Sequence, residues 1–89
     1  MYKEEFMKQS LSIKLFASLR QAMNSDEIKI DIDDNTTVSD MKKIILETFP
    51  ILKKLNIPFL VAVNHKYALD SAVVNTSDEI ALIPPVSGG

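Results

Sequence analysis

The residues with the most chemical meaning stand at the end of the chain. Gly88 and Gly89 are its only glycines and its last two residues. At an average usage of roughly 7%, a closing glycine pair arises in about one chain in 200, and here no glycine is spent elsewhere. Pro84-Pro85 stiffens the approach, Val86-Ser87 runs extended, and Gly88-Gly89 offers a bare backbone. Such a segment threads a narrow channel and presents a terminal carboxylate to another protein's active site. A carboxylate is inert at neutral pH, so chemistry there requires activation, most simply as an acyl-adenylate made by a partner that binds ATP. The activated terminus then accepts sulfur or an amine.

The rest of the chain offers little catalytic equipment. It has no cysteine and one histidine, which removes thiolate nucleophiles, disulfides and zinc-thiolate sites. Without internal glycine there is no phosphate-cradling loop of the Walker or dinucleotide type. His65 lies in an expected turn beside Lys66 and reads as a solvated loop histidine. Asp31, Asp33 and Asp34 suggest calcium, but an EF-hand counted from Asp31 would need a glutamate where Lys42 stands and a glycine that is missing. No metal site is expected. Lys42, Lys43, Lys53 and Lys54 have acids interspersed among them and read as the outer face of a helix.

Composition narrows the class. Ten basic against twelve acidic residues give a net charge of −2, which leaves no excess of cations to exchange for phosphate counterions, so nucleic acid is not the expected partner. Eighty-nine residues, 46% apolar and 25% charged, make one modest globular core. The opening MYKEEFMKQS is not a secretory signal and no run approaches spanning length, so a cytoplasmic protein without membrane contact is expected.

The elements that must position the tail are legible from periodicity. Residues 1–10 read as a flexible extension, 11–83 as the folded domain and 84–89 as the extended tail. From Leu11 the chain alternates, with Leu11, Ile13 and Leu15 on one side and Ser12, Lys14 and Phe16 on the other, which predicts a strand. Residues 18–25 read as a polar connection in which Asn24 takes the left-handed turn. Glu27–Asp33 alternates again. Thr37-Val-Ser-Asp40 reads as an N-cap with an acidic N3 residue, close to a capping box, opening a helix that sets Val38, Met41, Ile44, Ile45 and Thr48 on one face and stops before Pro50. One further helical turn is expected over 50–55, an interior strand over 59–63, a turn and short return strand over 64–67, a polar connection over 69–78, and a last strand over 79–83. This order predicts an α+β fold, a mixed sheet of about five strands packed on one main helix.

The same alternation leaves residues on the wrong side of the sheet for the core. Phe16 points away from Leu11, Ile13 and Leu15, and Ile83 points away from Ile80 and Leu82. If the first and last strands are neighbours, Phe16 and Ile83 form an outward apolar patch that Tyr67 joins, a candidate interface.

Taken together, Ser12-Ile-Lys-Leu-Phe-Ala17, Thr37-Val-Ser-Asp40, Val61-Ala-Val-Asn64, Asp78-Glu-Ile-Ala-Leu-Ile83 and the ending Pro84-Pro-Val-Ser-Gly-Gly89 resemble the small, sulfur-carrier subunits of molybdopterin synthase, within the ubiquitin-like sulfur-carrier family. The ending is the specific part; the internal pieces are shared with thiamine-pathway carriers and other β-grasp proteins. The resemblance covers residues 11–89. It departs at Ser77-Asp78-Glu79, where a glycine is usual at the first position, in the glycine-free loop after the first strand, and in the extension 1–10.

The resemblance implies a ubiquitin-like β-grasp fold. It implies that Gly89, presented by Gly88, is adenylated by an ATP-using activating enzyme and converted to a thiocarboxylate by a sulfur-donating enzyme, with no cofactor bound to this chain. The tail, including Pro84, Pro85 and Val86, then enters the large catalytic subunit of a heterotetrameric synthase and gives sulfur to cyclic pyranopterin monophosphate. Phe16, Tyr67 and Ile83 match the hydrophobic contact with that subunit, and Arg20 matches a contact with the activating enzyme. Two other uses of the same terminus are a carrier for a thiamine-like pathway and a ubiquitin-like protein modifier.

Overall fold

The computed structural model describes residues 8–85. Residues 1–7, most of the expected extension, and Val86, Ser87, Gly88 and Gly89 lie outside the described residues. In chain order the elements are β1 (Gln9–Leu15), α1 (Ala17–Met23), β2 (Glu27–Ile32), α2 (Val38–Thr48), α3 (Pro50–Lys54), β3 (Leu60–Val63), β4 (Lys66–Tyr67) and β5 (Ile80–Ile83). The five strands form one sheet in the order β2-β1-β5-β3-β4. The central β1–β5 pair is parallel and the other pairs are antiparallel, so the sheet is mixed, as expected.

One face of this sheet carries the core. The inward residues of β1 (Leu11, Ile13, Leu15), β2 (Ile28, Ile30, Ile32) and β5 (Ile80, Leu82) meet Val38, Met41 and Ile45 of α2, with Leu19 of α1, Leu52 of α3 and Val61 of β3 filling the edges. Burying about a dozen such side chains at roughly 1.5–3 kcal/mol each is the main force opposing chain entropy in a domain of this size. α2 starts where the sequence places it. The Thr37 hydroxyl accepts from the Asp40 N–H at 3.1 Å, and the Asp40 carboxylate accepts from the Thr37 N–H at 3.2 Å, which together satisfy two donors of the first turn. Pro50 then opens α3 at its first turn, where a missing N–H costs nothing.

Several expectations need correction. β1 begins at Gln9 rather than Leu11, because Gln9 and Ser10 pair with Ile32 and Asp31 of β2; these two residues of the supposed extension are strand. Most of the supposed polar connection at 18–25 belongs to helix α1 (Ala17–Met23), anchored by Leu19, which is fully buried. Phe16 is consequently not the end of β1 but the N-cap of α1, still in extended conformation, which preserves its outward direction. The 69–78 connection buries Val74 and is stapled to the start of α2: Val38 and Ser39 donate to the carbonyls of Ala72 and Asp70, and Val74 donates to that of Thr36. On α2, Thr48 is exposed and does not share the buried face.

Asparagine does the work of the absent glycines. Asn24, Asn35, Asn56 and Asn64 all have positive φ, between 52° and 66°, where a short polar side chain lowers the cost of the left-handed region. Asn24 ends α1, its N–H reaching back to the last-turn carbonyls. Asn64 and His65, at φ 53° and 71°, form the two-residue turn between β3 and β4, whose paired left-handed residues match strand twist.

Candidate docking surface

The sheet face turned away from the helices divides into two halves. Across β1 and β2 it is polar, with Ser10 opposite Asp31, Ser12 opposite Lys29 and Lys14 opposite Glu27. Across β5, β3 and β4 it is apolar. Register sets the rows: Leu60 pairs with Ile83, and Ala62 lies between Ala81 and Tyr67, while Lys14 flanks Ala81 from β1. Phe16 follows Leu15 at the level of Ile83.

These rows enclose a shallow hollow of about 330 Å³ lined by Lys14, Phe16, Ala62, His65, Tyr67, Glu79, Ala81 and Ile83. Its floor is the pair Ala62 and Ala81, and its apolar walls are Phe16, Tyr67 and Ile83. Phe16 is 45% exposed, Tyr67 68% and the neighbouring Leu60 42%. The structure thus brings the three expected patch residues around one concavity, with Tyr67 placed there by its pairing with Ala62. Bulky apolar groups this exposed around a hollow with a small-residue floor have the form of an interface anchor site, where a partner's side chain can be fully desolvated.

The far end of the hollow is polar. Lys14 Nζ donates to Glu79 Oε2 at 3.3 Å, and His65 Nε2 lies 3.2 Å from Glu79 Oε1. The Lys14 hydrogen bond, then the charge of His65, hold the Glu79 carboxyl below the usual carboxylate range. Asn64 locks this end together: its N–H donates to the Glu79 carbonyl at 2.8 Å, its side-chain oxygen accepts from the Glu79 N–H at 2.9 Å, and its amide donates to Asp78 at 3.0 Å. The β3–β4 turn that carries Tyr67 is thereby tied to the start of β5.

β5 leads from this surface directly into the tail. Pro84 is half-buried and Pro85 exposed, and Val86, Gly88 and Gly89 lie outside the described residues. Arg20 stands apart from the hollow, beyond Phe16, beside a second, more open depression lined by Lys14, Leu15, Phe16, Arg20, Asp26 and Glu27, with its guanidinium 3.8 Å from Asp26. Among the described residues no group of three or more acidic or histidine side chains is close enough to hold a metal ion, and no helix is long and apolar enough to cross a membrane.

Sequence reading overlooked Leu60, Ala62, Ala81, Lys14, Glu79 and the placing of His65. The alternation signal contained the alanines, since Ala62 and Ala81 sit between inward residues on their strands. The polar end depends on the β1–β5 register and the turn geometry, which no local pattern encodes.

Comparison with known proteins adds a second line of observation. Residues 13–89 match the model of the ThiS family. The chain is 36% identical over 87 residues to a molybdopterin synthase sulfur carrier subunit of Dictyostelium discoideum, covering 93% of this chain and all of that protein. The crystal structure of SAMP1 from Haloferax volcanii, a small archaeal modifier protein, superposes with a TM-score of 0.77 at 30% identity, covering 91% of this chain and all of that one. One chain in the complex of subunits 1 and 2 of the molybdopterin-converting factor from Helicobacter pylori shares the fold, with a TM-score of 0.62 at 20% identity over 91% of this chain and all of that one.

Proposed function

Because the chain belongs to the ThiS family, we propose that it is the sulfur-carrier subunit of a molybdopterin synthase, working through its Gly89 carboxyl. The observation that carries the reading is the pairing of an apolar hollow, walled by Phe16, Tyr67 and Ile83, with a strand that runs from that hollow into Pro84-Pro85 and on to Gly88-Gly89.

The chemistry runs in a balanced cycle. The Gly89 carboxylate attacks the α-phosphate of ATP held by an activating enzyme, giving an acyl-adenylate and pyrophosphate. A sulfur donor at the sulfide level displaces AMP and leaves a thiocarboxylate. The large subunit then binds the outer sheet face, the tail enters its active site, and the sulfur passes to cyclic pyranopterin monophosphate while water restores the carboxylate. This chain contributes the sulfur and the docking surface; pterin binding and proton transfer belong to the large subunit. Stiffness at Pro84-Pro85 suits repeated insertion into one fixed pocket, because less conformational freedom is lost on each entry.

The likeness to a small archaeal modifier protein favours a second reading, in which the same activated terminus forms isopeptide bonds with lysines. Reconstitution with the activating enzyme, sulfur donor, large subunit and pterin substrate separates the two. Sulfur appearing in the pterin, lost on deletion of Gly89 while the fold is retained, is the expected outcome. Covalent adducts on other proteins without sulfur delivery would reverse the assignment.

A further inference from the structure

Pairing of β5 stops at Ile83 on one side and at Leu82 on the other. Toward β3 the ladder ends with Leu60 opposite Ile83, and toward β1 it ends with Leu15 opposite Leu82. In an antiparallel pair, positions that exchange backbone hydrogen bonds alternate with positions that do not. The Asn64 N–H donates to the Glu79 carbonyl at 2.8 Å, so this is a bonded position, and the register repeats it at Ala62 with Ala81 and at Leu60 with Ile83. Two residues further on, the next bonded position would set Pro58 opposite Pro85. Neither residue has an N–H, so neither bond of that position can form.

The β1 side is closed in the same way. Successive N–H groups of a strand face opposite neighbours, so those of Ile80 and Leu82 turn toward β1 and position 84 would follow. In the parallel register a donor at position 84 would reach the Phe16 carbonyl. Position 84 is proline, and the Phe16 carbonyl accepts instead from the N–H groups of Leu19 and Arg20 at 3.1 and 3.4 Å. Pro58, Pro84 and Pro85 thus each stand where an N–H would have carried β5 onward. Pro84 and Pro85 belong to the tail, whereas Pro58 lies in the connection between α3 and β3 and is exposed.

We propose that Pro58 is a positioning residue for sulfur transfer: by withholding the donor opposite Pro85, it keeps β3 from pairing with the tail, so that the chain leaves the sheet at Ile83 and is available to a partner's active site. The inference rests on the reading of the tail as the sulfur-carrying segment. A paired tail would have to break its bonds before each entry, and its apparent affinity for an active site would fall in proportion to the fraction released. Pro58 takes no part in the sulfur chemistry itself.

Restoring the donor tests this. Pro58→Thr supplies an N–H to the Pro85 carbonyl, and hydrogen exchange followed by NMR on the isolated chain should show the residue 58 amide protected about fivefold, the equilibrium factor of a backbone bond of about 1 kcal/mol. The kcat/KM for adenylation by the activating enzyme, and for sulfur delivery with the large subunit, should each fall roughly fivefold. Thermal melting should stay close to that of the wild type, because position 58 is exposed. Pro58→Ala, with the same donor and a smaller side chain, should reproduce these effects and so attribute them to the N–H. An unprotected amide at position 58 in both variants, or a protected one with wild-type rates of adenylation and delivery, would overturn this inference alone. A wild-type chain that is never adenylated and delivers no sulfur would overturn the carrier reading and the role given to Pro58 with it.

Discussion

Truncating Tyr67 to alanine separates interface from core more sharply than any other change in the hollow. Tyr67 lies on a two-residue edge strand and is 68% exposed. An aromatic side chain of this kind buries about 200 Å² when fully covered, so about 140 Å² remains for a partner. At about 25 cal/mol per Å² the docked complex should lose up to about 3.5 kcal/mol, roughly two and a half decades in Kd. The third already covered sets a smaller ceiling on fold stability, about 1.5 kcal/mol, and less in practice because the unfolded chain also hides part of it. Titration calorimetry against the large subunit and thermal unfolding of the isolated chain give the two numbers. A Tyr67→Ala protein that melts much earlier yet docks with unchanged affinity would show that the side chain serves the fold, and the assignment of the outer face would fail.

Further expectations follow from the same structure. Phe16→Asp and Ile83→Asp should each weaken docking by a few kcal/mol in pull-down titrations, whereas Leu82→Ala, one residue from Ile83 but fully buried, should cost about 2–5 kcal/mol of stability in denaturant unfolding. Thr37→Ala removes the α2 capping box and should cost about 1 kcal/mol, read as a fall of several degrees in Tm. Asn24→Gly should be close to neutral in the same assay, whereas Asn24→Ala should be destabilising by about 1 kcal/mol, because Asn24 holds φ 52° at the end of α1. Hydrogen bonds from Thr37 hold the Asp40 carboxyl below its usual range, as Lys14 and His65 do for Glu79. Groups depressed in the folded state stabilise it above the usual carboxylate range, and that contribution is lost as pH falls through their folded values. Acid titration of unfolding should therefore show declining stability there, with a smaller decline in Thr37→Ala.

Much of this molecule is legible in its amino-acid sequence because two periodicities coincide with its two layers. Alternation in β1, β2 and β5 assigns every inward residue, and by subtraction it assigns Phe16 and Ile83 outward. α2 is readable because its cap is local, written in Thr37 and Asp40. α1 is not, because a seven-residue helix with one fully buried anchor, Leu19, has too little periodicity to stand out, although Ala, Leu, Arg, Gln and Met are all good helix formers. The floor of the hollow escapes for a different reason: small residues signal a surface by what they leave unfilled, and Ala62 and Ala81 acquire meaning only once register places them side by side. The Lys14–Glu79–His65 cluster joins residues separated by 65 and 14 positions, so only the completed sheet assembles it.

The central claim is that Gly89 carries sulfur, and intact mass spectrometry tests it most directly. After incubation with the activating enzyme, ATP and a sulfur donor, the chain should gain the mass difference of one oxygen replaced by sulfur, confined to the terminal residue. That increment should disappear when the large subunit and its pterin substrate are added. A chain that keeps its original mass under these conditions, or that becomes joined to lysines of other proteins while the pterin receives no sulfur, would contradict the account.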